Sequence, residues 1–162
     1  MILRIFNALS GILGKLDKMP HNVWHNVRMG QSASIPVVSQ PLQFDWRAVE
    51  KGVPLSALEE FAARTGFTLK DLLEVIIPPR TLKHRRMRKE PLSLDESDRL
   101  ARVARIYDLA VKVFGDAVDG REWLTFPIDR FEGRTALEML RTDAGARQVE
   151  EMLYQIDEGV FA

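Results

Sequence analysis

Apolar residues recur three and four positions apart along the middle of the chain: Leu55, Leu58, Phe61 and Ala62, then Leu69, Leu72, Leu73 and Ile76, then Leu100, Val103, Tyr107, Val111 and Phe114. That period belongs to helices that bury one stripe and solvate the rest. Strand-like alternation is almost absent. Pairs of the Ser/Thr-x-x-acid type fall at Ser56/Glu59, Thr68/Asp71, Ser93/Glu96 and Thr135/Glu138, where a hydroxyl and a carboxylate can satisfy the free amides of a first helical turn. Gly52, Gly66, Gly115 and Gly159 stand where helices would end, since glycine accepts the left-handed backbone of a C-terminal cap. The pattern predicts an all-α chain. Its longest helix, from about 94 to 114, also carries Ile106, Leu109, Ala110 and Val113 beside the main stripe. So wide an apolar face predicts a core element between two halves, or a dimer surface.

Composition narrows the class. With 162 residues, 46% hydrophobic and 28% charged, the chain has the makeup of one globular domain or two very small ones. No apolar run approaches the roughly 18 residues that a membrane-spanning helix needs. The absence of cysteine excludes disulfides, thiolate metal sites and a cysteine nucleophile, and fits a reducing cytoplasm, the expected location. The net charge of zero hides an asymmetry: residues 1–89 hold 14 Lys/Arg against 7 Asp/Glu, a net +7, and residues 90–162 hold 9 against 16, a net −7. The first half thus suits a polyanion and the second something cationic, the alternative being solvated charge that is merely uneven. Residues 1–43 show helical spacing only over Ile2–Leu16, then a Gly-Gln-Ser-Ala-Ser stretch with Pro36 and Pro41. They are expected to be a flexible extension, or an over-extended gene start.

The cations concentrate in one place. Thr68 to Ile76 reads as a helix, Ile77-Pro78 as a turn, and Pro79-Arg80-Thr81-Leu82-Lys83-His84-Arg85-Arg86-Met87-Arg88-Lys89 as a second helix, a helix-turn-helix layout. Pro79 suits the first turn of a helix and Leu82 supplies an apolar anchor. In that layout Arg80, Thr81, Lys83 and His84 lie on the early turns that reach base edges. Arg85, Arg86, Arg88 and Lys89 are placed for phosphates, which set register and contribute salt-dependent affinity. Ile76 occupies the place where such turns usually have glycine, which predicts a looser turn.

Catalytic readings find little support. His21 and His25 stand four apart but have no third ligand nearby. Gly11-Ile-Leu-Gly14-Lys15 is too short for a phosphate loop and lacks the Ser/Thr after lysine. Glu59, Glu60, Asp95, Glu96 and Asp98 cluster at helix starts, where the helix dipole explains them. Trp24, Trp46 and Trp123 are expected to pack into cores or cover helix junctions. No metal, cofactor or enzymatic activity is expected.

The last 70 residues carry a more specific order: Phe114-Gly115, Trp123-Leu124-x-x-Pro127, Gly133-x-Thr135-x-Leu137-x-x-Leu140-x-Thr142-x-x-Gly145, then Val149, Leu153, Ile156 and Gly159 on a final amphipathic helix. This order resembles the Xre/MbcA/ParS antitoxin family, over about residues 45 to 162. Beyond the extension at 1–43, the resemblance implies an Xre-like helix-turn-helix at 44–91 and a toxin-binding domain at 92–162. It also implies a type II antitoxin, itself not catalytic, that binds a RES-domain toxin acting on NAD and represses its own promoter, as a dimer matching two half-sites. In that picture Arg134 and the C-terminal Asp157, Glu158, Gly159, Val160 and Phe161 face the toxin, with Val160 and Phe161 as an apolar plug unless Phe161 folds back onto its own domain. One departure is local: the family commonly has Leu-Gly-Gly before its Pro-Leu element, where this chain has Phe131-Glu132-Gly133 and Ala136, which predicts a reshaped loop. Two other readings remain: a stand-alone regulator whose second half senses a ligand or dimerises, and a helical adaptor with a vestigial DNA module.

Overall fold

A computed structural model describes residues 44–159. The expectations for residues 1–43, with His21, His25, Trp24 and Gly11–Lys15, and for Val160 and Phe161, lie outside the described residues. Among the described residues the chain is all-helical: α1 (Trp46–Lys51), α2 (Leu55–Thr65), α3 (Leu69–Val75), α4 (Pro79–Arg88), α5 (Leu94–Phe114), α6 (Ala117–Thr125), α7 (Ala136–Met139) and α8 (Asp143–Glu158). A short 3-10 turn covers Asp129–Phe131, and the one strand-like feature is an isolated bridge between Pro127 and Thr135.

Local chemistry sets the boundaries. Thr68, Ser93 and Thr135 each cap a helix in a reciprocal box with Asp71, Glu96 and Glu138, and Gly52, Gly66, Gly115 and Gly159 all sit at helix C-caps. The fourth expected box does not form. Pro54 is the N-cap of α2, so Ser56 lies inside the first turn and Glu59 points elsewhere. Helix α6 begins at Ala117 because Asp116 caps it by accepting from the amides of Val118 and Asp119.

The long helix α5 is the spine. Leu100, Val103, Ala104, Ile106, Tyr107 and Ala110 are buried along it, and α1, α6 and α8 all pack against it. Its wide apolar face is therefore covered by helices of the same chain. Phe61, Phe67 and Tyr107 form an aromatic cluster with centroids 5.6 to 6.1 Å apart, joining α2 and the α2–α3 loop to the spine. Further along, Phe114 lies 5.6 Å from Trp123. Trp46, expected to pack into a core or cover a helix junction, is 59% exposed, with the Arg47 guanidinium 4.5 Å above its ring. Buried side chains from α2, α3, α4, α5, α7 and α8 belong to one continuous core.

Candidate nucleic-acid and partner-binding faces

Helix α4 follows α3 across a tight turn. Ile76 closes α3 in right-handed backbone, with φ −92° and ψ −55°, and is fully buried together with Ile77. The turn needs no left-handed residue here, so isoleucine replaces glycine without strain and anchors the turn in the core. Pro79 occupies the first turn of α4 and Leu82 pins the helix inward. Arg80, Lys83, His84, Met87 and Arg88 are exposed; at helical spacing they share the outer face. Thr81 is half-buried at its edge and Lys89 ends the helix in left-handed backbone at φ 54°.

The cations of α4 are not equivalent. No ion pair or side-chain hydrogen bond engages Arg80, Lys83, His84 or Lys89 among the described residues. Arg88 lies 3.8 Å from Glu90, and Arg86 pairs with Glu59 of α2 while both stay half-exposed. Arg85, three residues after Leu82, turns inward. Its Nε lies 2.8 Å from Glu96 Oε2, its Nη1 donates to the Pro91 carbonyl at 3.1 Å, and Glu90 is 3.6 Å away.

The exposed side of α8 is acidic. The outward side of α8 carries Ala144, Arg147, Gln148, Glu151, Tyr154, Asp157 and Glu158, all exposed, and Gly159 caps the helix at φ 67°. Tyr154 is 47% exposed, a large amphipathic side chain of the kind that anchors interfaces. Sequence reasoning passed over it, although its place on the polar side of the Val149, Leu153 and Ile156 stripe was legible from spacing. Arg134 is exposed on the loop before α7, 4.0 Å from Glu132, and Arg130 donates to Gln155 at 2.9 Å. Glu132 and Gly133 are both left-handed, at φ 60° and 80°, so this loop keeps two consecutive left-handed residues although only one is glycine. Arg134 and the Asp157–Gly159 end are thus both exposed to solvent.

Helix α3 meets α7 over a shallow cleft lined by Asp71, Glu74, Thr125, Thr135 and Glu138; Asp71 and Glu138 there serve as helix caps. Burial raises Asp108 above the usual carboxylate range against the opposing pull of Arg64, and raises Asp119 with the help of Asp116 and Glu122. Burial likewise raises Tyr107. No cluster of three or more His, Asp or Glu among the described residues is arranged to hold a metal, and no described helix is long and apolar enough to cross a membrane.

Two family models match these regions. Residues 47–105 match the antitoxin Xre-like helix-turn-helix domain, and residues 109–159 match the antitoxin Xre/MbcA/ParS C-terminal toxin-binding domain. Curated relatives include an antitoxin Xre of Pseudomonas putida KT2440, 55% identical over 52% of this chain and 53% of its own length. One of Yersinia enterocolitica is 34% identical over 53% of this chain and 59% of its own length. A third, of Photorhabdus laumondii, is 30% identical over 70% of this chain and 78% of its own length. The chain thus spans little more than half of the first two relatives and over three quarters of the third.

Proposed function

The chain belongs to the Xre/MbcA/ParS antitoxin family, which joins a DNA-binding module to a toxin-binding module and is not a family of enzymes, and from that premise we propose that it neutralises a RES-domain, NAD-consuming toxin by direct binding and represses its own operon. The observation that supports this most directly is the separation of the two faces. An outer stripe of cations on α4, in the helix-turn-helix half, is suited to DNA phosphates and base edges, while an acidic exposed side with Tyr154 lies on α8, in the half that matches the toxin-binding domain. Arg80, Thr81, Lys83 and His84 read bases; Arg86, Arg88 and Lys89 contact phosphates. Arg134, Tyr154 and Asp157 to Phe161 meet the toxin, whose phosphate-binding groups present positive charge that an acidic surface attracts. The working form is a cytoplasmic homodimer, because two half-sites of an operator match a two-fold protein.

The test is co-expression with the adjacent reading frame, scored by growth rescue and co-purification. Rescue with a stable complex is expected. A Lys83→Ala, Arg80→Ala double variant should still rescue while losing the promoter duplex, and Tyr154→Ala should show the reverse. A neighbour that kills equally with the chain present overturns the neutralising role for that pair and favours a stand-alone regulator.

A further inference from the structure

We infer that Arg85 is a positioning residue of the DNA-reading helix, set by Glu96, and not one of its phosphate contacts. The inference rests on the DNA-binding reading above and refines which cations of α4 serve it.

Glu96 is the third residue of α5, and its side chain is 9% exposed. Its Oε2 accepts the Ser93 amide at 2.7 Å, closing the capping box that starts α5. The same oxygen lies 2.8 Å from Arg85 Nε. One carboxylate oxygen therefore ties the first turn of the spine to the middle of α4. Arg85 Nη1 then holds the Pro91 carbonyl at 3.1 Å, so the guanidinium spans the whole α4–α5 connection. That connection is itself fastened to the start of α2: the Leu92 amide donates to the Val53 carbonyl at 2.9 Å, and the Val53 amide donates to Ser97 Oγ at 2.9 Å.

The geometry leaves Arg85 little to offer a phosphate. Its side chain is 21% exposed, whereas that of Arg86 is 49% exposed and its Glu59 partner equally open. An exposed pair such as Arg86–Glu59 exchanges partners at little cost. Extracting Arg85 would strand a buried carboxylate, which is strongly unfavourable. Arg85 thus fixes the tilt at which α4 presents Arg80, Lys83 and His84.

Positioning and phosphate contact make opposite predictions for salt dependence, because each lost phosphate contact lowers the slope of log affinity against log salt by about 0.9. The probes are a duplex from the region upstream of the chain's own reading frame and a shuffled duplex of equal length, titrated over a salt series. Glu96→Gln is the first variant, since glutamine keeps a capping-box acceptor while removing the charge that holds Arg85. It should reduce the preference for the upstream duplex roughly tenfold, on the scale of a lost base contact, with the salt slope unchanged; Arg85→Gln should do the same. Arg88→Ala, an exposed cation assigned to a phosphate, is the comparator and should reduce the slope. Tighter binding with a steeper slope in Glu96→Gln, or a shallower slope on both duplexes in Arg85→Gln, would identify a phosphate contact and overturn the inference. So would a lower Tm in both variants with the duplex preference intact, which is the mark of a purely structural pair. A wild-type chain with no preference for the upstream duplex overturns the operator reading itself, and is recognised without any variant.

Discussion

A single β-carbon separates tolerance from failure at Gly145. It lies within the first turn of α8, where alanine favours a helix by about 1 kcal/mol over glycine. A methyl there, however, would stand 2.1 Å from the Met139 carbonyl oxygen, a backbone atom with no rotamer to move. Overpacking of this kind costs roughly 1–3 kcal/mol or more and outweighs the propensity gain. Gly145→Ala is expected to destabilise by about 2 kcal/mol, read as a lower denaturation midpoint; an unchanged midpoint would show that α7 can slide away. Asp119 illustrates the opposite sign of constraint. Its carboxyl titrates above the usual 3.8 through burial and the nearby Asp116 and Glu122, so the folded chain holds this proton more readily than the unfolded one. The group's stabilising share is complete below 3.8 and is lost as pH rises through its higher folded value. Asp119→Asn should therefore be more stable than the wild type at pH 7, with the gap closing as the pH is lowered toward 4. Urea melts at the two pH values check this, and a pH-independent difference would contradict it.

At the scale of elements, caps decide where helices begin, and the two serines at expected starts now make contrasting predictions. Ser93 accepts the Glu96 amide at 3.3 Å as the cap of α5, so Ser93→Ala should cost about 1 kcal/mol. Ser56 is exposed inside α2, so Ser56→Ala should be neutral or favourable by a few tenths of a kcal/mol, roughly the propensity difference. Equal effects in parallel melts would mean that the capping assignment is wrong. The difference also shows what the sequence could carry. Capping boxes at Thr68, Ser93 and Thr135, terminal glycines and the broad stripe of α5 are local signals, and they appear where spacing put them. Ser56 failed because Pro54, two residues earlier, already supplies the backbone turn, and Glu59 then finds Arg86, 27 residues away. Gly120 lies inside α6, where an added β-carbon would stand 3.0 Å from the Val111 backbone nitrogen of α5, so glycine lets the two helices lie this close. Likewise Arg85 is one more cation in a basic run until Glu96 is brought beside it. Long-range partners, which no local period encodes, separate the inner cations of α4 from the outer ones.

The whole molecule behaves as one body because α5 belongs to both functional halves. Its N-terminal turn is locked to the helix-turn-helix through Glu96 and Ser97, and its C-terminal half packs on α6 and α8. The two family matches end and begin at residues 105 and 109, inside this helix. At 21 residues it is about 30 Å long, and a helix of that length does not melt at one end while its packed stripe remains continuous with a single core. Heat should therefore unfold residues 44–159 in one transition, with equal calorimetric and van't Hoff enthalpies. Two resolved transitions would show that the halves fold separately. The cooperativity has a functional consequence, since any ligand that binds only the folded chain stabilises all of it by RT ln(1 + [L]/Kd). A toxin seated on α8 at 100 times its Kd should thus add about 2.7 kcal/mol to the α4 amides that exchange through global unfolding, although it touches none of them. Hydrogen exchange with and without the partner measures this. Protection confined to α6–α8 would place a break within the spine, and protection reaching α4 would mean that toxin occupancy also steadies the face that reads DNA.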